Sequence, residues 1–395
     1  MGLPGVDIQI QNGALPGLVP TDDGLAGLLL QGPAATSLSL LTPRLVTRLA
    51  DVEALGIDAD YDELNGVRVY HHLAAFYAEA GDGARIWIML VSQAVGLTAM
   101  ADLAETDYAV QLLTAAAGKI RLLGITRSPD AGYASDAEDD HVDADVLSAI
   151  GKAQALAEGF AASHEPVRVL LEGTFYDGDF GGLVDLTERT DNRVTVLLGD
   201  TTVGNGAALG LLLGRAARIP VQRNIGRVKD GALKTSTAFI GVKPVEQALG
   251  EAAVLHDKGF VTLRTYQGKA GYFFSNDPTA TSSQDDYRRL SYGRVIDKAT
   301  TIAYVTYVEQ VLDEVAIDAQ GRIDPALAKY YQAIIERAVN QAMTANGEIS
   351  GFAAYIDLEQ NVITTGRICI EARIRPVGYA QDIIVKLGFQ AANNV

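Results

Sequence analysis

The chain reads as an α/β domain followed by an α+β domain, with an extended strand arm at each end, and three observations carry that reading. Between residues 24 and 228, short and nearly continuous apolar runs alternate with segments of helical periodicity. From residue 229 onward the pattern changes to short strands, two long amphipathic helices and alternating strands. Near each terminus an isolated period-two run is set off by Pro and Gly. The divisions that follow are an N-terminal arm at 1–23, the α/β domain at 24–228, the α+β domain at 229–378 and a C-terminal arm at 379–395.

In the first arm Val6, Ile8 and Ile10 alternate with Asp7, Gln9 and Gln11, and Asn12-Gly13 then Pro16-Gly17 end the run in turn chemistry. With no hairpin partner nearby, this strand pairs either in its own domain's sheet or with another chain. In the α/β region the apolar runs are 25–30, 85–91, 120–126, 167–171 and 194–198, and the helical segments are 43–55, 67–79, 107–117, 144–162 and 207–217. Apolar strands alternating with helices form βαβ units, hence a mostly parallel sheet covered on both faces.

Beyond residue 229, residues 237–242 read as a strand, 245–256 as a helix and 260–266 as an alternating strand. Tyr272, Phe273 and Phe274 form an aromatic strand that Asn276-Asp277-Pro278 breaks. Ser283 with Asp286 makes an imperfect capping box for a helix carrying Tyr287, Leu290, Val295, Ile296, Ala299, Ile302 and Ala303 at helical spacing. Asp324-Pro325 supplies an N-cap and a first-turn proline for a second helix, whose apolar face is Leu327, Tyr331, Ile334, Ile335, Ala338 and Ala342, and Asn346-Gly347 stops it. Strands at 352–356 and 362–375 follow as a hairpin turning at 358–361. In the second of them Ile368, Ile370, Ala372 and Ile374 face one way, while Arg367, Cys369, Glu371, Arg373 and Arg375 face the other. Pro376 and Gly378 break it, and a final run, Ile383, Val385, Leu387 and Phe389, alternates once more.

With 395 residues, nearly half of them apolar, the chain can bury a sizeable core without staples. A net charge of −17 and no basic run argue against nucleic acid and anionic membrane as partners. Cys369 is the single cysteine, so no intrachain disulfide forms, and its expected role is that of a small buried hydrophobe. The opening MGLPGVDIQI has no basic segment followed by an apolar run, no stretch is long enough to span a bilayer, and Val6 stands where a myristoylation motif needs Ser or Thr.

Sites for chemistry are sparse. The loop 199–206 follows a strand and precedes a helix, as a phosphate loop does, but Asn205 stands where Lys is required. Residues 137–145 hold five carboxylates and His141, at a spacing that fits no EF-hand; an acidic lead-in capping the next helix through Asp143 is expected. The five histidines, including His71-His72, form no HExxH arrangement, there is no GxSxG, and Ser163-His164 has no third partner. No catalytic, cofactor or metal site is therefore expected.

The aromatic strand, polar loop and long helix of 268–304, the stretch AKYYQAIIERAVNQAMTANGEISGFAAYID and the ending RPVGYAQDIIVKLGF together resemble the C-terminal half of contractile tail sheath proteins. The likeness covers 229–395 in sequence character and the first 228 residues by architecture; the segment around Tyr272 lacks the usual Trp-Gly-x-Arg-Thr pattern, and the chain is short for the family. The resemblance implies a C-terminal domain that coats an inner tube, an outward α/β domain and arms that donate strands to neighbouring subunits. It implies a helical homo-oligomer that meets the tube, baseplate and tail-terminator proteins, assembles in the cytoplasm as part of a phage tail or phage-like particle, and contracts without a cofactor. Val6, Ile8, Ile10, Ile383, Val385, Leu387 and Phe389 are then the strand donors, Ile368, Ile370 and Ile374 lie in the receiving sheet, and the helix from Pro325 is a further surface for the tube.

The energetics of the arms agree with such a role. Ordering about six residues costs roughly 6–12 kcal/mol of backbone entropy. Three buried aliphatics return roughly 4.5–9 kcal/mol, with about 1 kcal/mol for each net hydrogen bond. Such a strand gains order where a neighbour offers a sheet edge. The competing expectation is an α/β enzyme with an α+β appendage, which would keep a concave site with perturbed ionisable groups at the ends of the central strands.

Overall fold

A computed structural model describes residues 22–137, 140–204, 206–381 and 383–385. The expected donors Val6, Ile8, Ile10, Leu387 and Phe389 lie outside the described residues. In chain order the first elements are β1 (Ala26–Gln31), β2 (Arg44–Val46), α1 (Leu49–Glu53), α2 (Ala59–Asn65), α3 (Val69–Ala80), β3 (Ile86–Val91), α4 (Leu97–Met100), α5 (Ala109–Ala115) and β4 (Leu122–Ile125). Then come α6 (Ala144–Ala162), β5 (Arg168–Glu172), β6 (Thr190–Asp191), β7 (Val194–Leu197), α7 (Leu209–Arg218), β8 (Phe239–Ile240), β9 (Lys243–Pro244) and α8 (Leu249–Asp257). The remainder is β10 (Leu263–Arg264), β11 (Phe273–Phe274), β12 (Ala280–Thr281), α9 (Leu290–Val308), α10 (Pro325–Val339), β13 (Ile349–Ile356), α11 (Val362–Thr365) and β14 (Ile370–Pro376).

Six strands form the main sheet in the order β2-β3-β1-β4-β5-β7, all parallel except the antiparallel edge strand β2. The five apolar runs supply the five parallel strands, each buried along nearly its whole length, because helices cover both faces. Two helices, α3 and α7, approach closely because α7 carries glycines where it crosses α3: a Cβ on Gly210 would sit 2.0 Å from the His72 carbonyl oxygen, and one on Gly214 2.5 Å from that of Phe76. The same pair is locked by Arg215, whose Nε lies 2.9 Å from Glu79, both fully buried.

Three local expectations are corrected. Residues 43–55 are not one helix. The Arg44–Val46 segment pairs with β3, and Asp51 accepts from the Thr47 backbone N–H (3.2 Å), so the helix restarts at Leu49. Ser283 caps nothing: α9 begins at Leu290, where the Asp277 carboxylate accepts from the Ser291 N–H (3.0 Å) and the Asp277 carbonyl from the Leu290 N–H (2.8 Å). Finally, β13 and β14 are joined not by a turn at 358–361 but through α11, which Asn361 caps by accepting from the Thr364 N–H (2.9 Å) and Gly366 ends in the left-handed region. Ile368 thereby falls before β14, although it still packs beside Ile323, Tyr331 and Ile356. Cys369 is exposed, contrary to its expected burial, because it sits in this lead-in segment.

The buried cluster around the sheet runs on past residue 228 to Leu290 and includes Leu233, Phe260, Val261, Leu263 and Phe274. Val261 donates to the Val196 carbonyl and accepts from the Leu198 N–H, both at 2.9 Å, so residues 260–263 lie along the β7 edge. Residues 229–290, grouped by sequence pattern with the C-terminal unit, thus share the core of the parallel sheet. A second cluster holds Val221, Val295, Ala299, Ile302, Ile335, Val339, Met343 and Ile349, joining α9 and α10 to the β13-β14 pair.

Candidate functional site

A doubly wound sheet binds ligands beyond the carboxyl ends of its strands, so that edge is the first place to look for chemistry. There Glu172, at the end of β5, is fully buried and accepts from the backbone N–H of Arg127 and of Ala207, both at 2.8 Å. Arg68 Nη1 lies 3.4 Å from the same carboxylate and Arg68 Nη2 2.5 Å from Asp200, while His72 Nε2 is 3.7 Å from Glu172. Burial pushes Glu172 up to about 7, against the charge of Arg68 and its two backbone donors. Burial also lowers His72 well below its ordinary value, which keeps it neutral. Asp200 is held well below the carboxylate range: burial opposes its charge, but hydrogen bonds and charges from His71 and Arg68 overcome that.

The Glu172 carboxylate takes the N–H of Ala207, just ahead of α7, and a Cβ on Gly206 would stand 1.9 Å from Arg68 Nη1. The sequence signal missed was the Glu that closes the run 167–172, in which Arg168 is the other charged residue. Asn205 of the same loop lies outside the described residues.

The acidic segment works as helix caps. Asp143 accepts from the Asp145 N–H (3.2 Å) at the start of α6, and Asp145 accepts from the N–H groups of Leu97 (2.6 Å) and Thr98 (3.0 Å) at the start of α4. Among the described residues no three His, Cys, Asp or Glu side chains gather as a metal site. His164 stacks on Tyr304 of α9, with ring centroids 4.2 Å apart.

The second place is the two-stranded β13-β14 sheet. β14 pairs antiparallel with β13 and, among the described residues, with nothing on its other side. Glu336 of α10 accepts from the Ala354 N–H (3.0 Å), which occupies the outer edge of β13 at that residue, whereas no described residue bonds along the outer edge of β14. Because Ala354 opposite Ala372 sends its N–H away from the ladder, this is a non-hydrogen-bonded pair, and the Ala372 N–H points out along the open edge. Ile370 and Ile374 are half-buried against the clusters beneath, whereas Glu371, Arg373 and Arg375 are exposed. The structure therefore brings Ile370 and Ile374 into one sheet and leaves Ile368 just before it, while Ile383 and Val385 are 81% and 69% exposed and belong to no strand.

Residues 3–278 match the family model described as DUF2586, N-terminal domain, and residues 286–394 match DUF2586, C-terminal domain. No curated protein sequence matches the chain. Among solved structures, a chain of the anti-feeding prophage (AFP) baseplate, 6-fold symmetrised, is 14% identical, with 99% of this chain and 100% of that chain covered and a TM-score of 0.63. A chain of the AFP helical sheath in contracted state is 15% identical, covering 98% and 99%, with a TM-score of 0.62. A chain of the PVC sheath complex in contracted state, from an extracellular contractile injection system, is 13% identical, covering 98% of each, with a TM-score of 0.60. At these identities the likeness is one of fold, and it runs the length of the chain.

Proposed function

The chain belongs to the DUF2586 family, and from that premise we propose that it is the subunit of a contractile sheath, polymerising helically around an inner tube and contracting to drive that tube through a target envelope. The observation that carries this reading is the fold shared from end to end with chains of contractile sheath assemblies, coupled to a sheet edge left open on β14. An edge strand with outward N–H and C=O groups is a template for strand addition.

In this reading Val6, Ile8 and Ile10 of one subunit, and Ile383, Val385, Leu387 and Phe389 of another, add strands beside β14, over the surface set by Ile368, Ile370 and Ile374. The parallel-sheet body faces outward, and α9, α10 and the β13-β14 pair coat the tube. We take the division between the two bodies to lie near the loop between β12 and α9, a reading supported by the two buried clusters and by the bounds of the two family matches, 3–278 and 286–394. Baseplate and terminator proteins cap the sleeve, which belongs to a phage tail or phage-like particle assembled in the cytoplasm. In this reading the role is mechanical, which the likeness to chains of contractile sheath assemblies supports.

Negative-stain electron microscopy of the purified full-length protein tests the proposal. Long tubes are expected, and deleting residues 1–12 should leave a folded chain that does not form them. Tubes of normal form from the truncated chain would remove the N-terminal donor from the account.

A further inference from the structure

The first half of α9 holds a ring of contacts that closes on itself. Arg294 is 4% exposed; its Nη2 donates to the carbonyls of Asp23 (3.3 Å) and Ile219 (3.2 Å), and its Nε and Nη1 have no hydrogen-bond partner. One turn on, the buried Lys298 Nζ sits 2.7 Å from Asp23 and 2.7 Å from Glu348. Gly347, beside Glu348, accepts through its carbonyl from Gln222 Nε2 (3.3 Å), and the Gln222 carbonyl accepts from the Tyr379 hydroxyl. The Tyr379 ring returns to α9, 5.4 Å from the Tyr292 ring and 5.4 Å from the Arg289 guanidinium. Asp297, on the same turns, ties the helix to the sheet body through Arg168, at 2.6 Å.

Asp23 is the root of the segment that precedes the described residues, and Tyr379 is the root of the segment that ends the chain. Both roots therefore rest on the same three turns of one helix. The charges inside the ring balance as two cations, Arg294 and Lys298, against two carboxylates, Asp23 and Glu348. Withdrawing Asp23 takes a carboxylate from Lys298 and a carbonyl from Arg294, leaving two buried cations against Glu348 alone, which destabilises the turns on which the Tyr379 ring also rests through Tyr292 and Arg289. Burial pushes Arg294 down to about 10, in keeping with a cation that depends on these neighbours.

We propose that residues 289–298, the N-cap and first turns of α9, form a coupling joint, through which displacement of either terminal segment at its root loosens the root of the other. Coupling of this kind is reciprocal. Its use during contraction rests on the sheath reading above, but the joint is a property of a single chain and is tested without assembly.

The test takes dilute full-length protein and two variants, Asp23→Asn and Tyr379→Ala, with Tyr379→Phe as a milder version that keeps the ring and loses the hydroxyl. Undocking of Tyr379 is read as the rate of chymotryptic cleavage after that residue, by mass. Release of the other root is read as amide exchange at Leu25, whose N–H bonds to the Asp22 carbonyl at 3.0 Å. The joint predicts that Asp23→Asn speeds cleavage after Tyr379 at least about fivefold, and that Tyr379→Ala speeds Leu25 exchange by a similar factor, with Tyr379→Phe between. Exchange in α6 should stay unchanged. If each substitution loosens only its own segment, or if α6 loosens equally, the joint does not exist.

Discussion

Proline at position 372 separates the open edge of β14 from the fold that carries it. The Ala372 N–H points away from β13, so Ala372→Pro keeps the β13-β14 ladder while removing one outward donor and placing a ring on the edge. Each net hydrogen bond formed with an added strand contributes about 1 kcal/mol. Losing one bond and misplacing its neighbour costs on the order of 2 kcal/mol per contact, about 30-fold in the equilibrium constant. The assay is the critical concentration for pelletable tubes, with Ala372→Thr as a control that retains the N–H and favours a strand. The account expects about a 30-fold rise, or no tubes, for the proline variant, near-normal assembly for threonine, and close to wild-type thermal unfolding for both. Unaltered assembly of a folded Ala372→Pro protein would refute the claim that β14 receives a strand.

Glu172→Gln tests the buried polar cluster through pH. With its folded value raised from 4.5 to about 7, Glu172 holds a proton in the native state that the unfolded chain has released, so its contribution is present below about 4.5 and lost as pH rises to about 7. The wild-type stability minus that of Glu172→Gln should fall on the order of 3 kcal/mol across that window in urea titrations; the difference is needed because His72, lowered by burial, slopes the opposite way below 6.5. A flat difference curve would remove Glu172 as the titrating group. Gly210→Ala should destabilise by about 1–3 kcal/mol, because the added Cβ meets the His72 carbonyl at 2.0 Å; a gain in stability from helix propensity would show that α3 and α7 do not approach as described. Glu79→Leu should cost about 3–5 kcal/mol by stranding Arg215, and adding Arg215→Met should recover most of it. Equal losses in the single and double variants would mean that packing, not charge, holds this junction.

Much of the α/β body was legible because period and composition act locally. The five apolar runs became the five parallel strands, and 144–162 became α6 to the residue, where Asp143 supplies a cap next to a clean repeat. Legibility failed where a distant group took over a local task. Asp277, reaching forward across a loop, starts α9 in place of Ser283, and an edge of β3 captured residues 44–46 from an expected helix. Helix α11 arose from an Asn361 cap within an apolar stretch that alternates like a strand. The extent of the first core was hidden for the same reason: residues 260–263 join it by lying beside β7, a pairing across more than sixty positions that no local pattern displays.

The candidate assembly surface was legible in part. Alternation in 368–374 marked a half-buried strand, and Ile370 and Ile374 do lie on its inner side. That its far edge is open could not be read from alternation, since it depends on which segments pair with β14 in the folded chain. The cluster of Arg68, His72, Glu172 and Asp200 was not foreseen, because its members come from four separate segments that only the sheet brings together.

In the sheath reading, subunits of this chain build a sleeve by adding terminal strands to the β14 edge. Cryo-electron microscopy with helical reconstruction of tubes grown from the full-length protein tests it most directly. Density is expected for a strand from a neighbouring subunit hydrogen-bonded to Ile370–Pro376, continuous with residues 6–10 or 383–389 of that neighbour. Tubes in which the β14 edge faces solvent, or a protein that stays monomeric at high concentration, would contradict it.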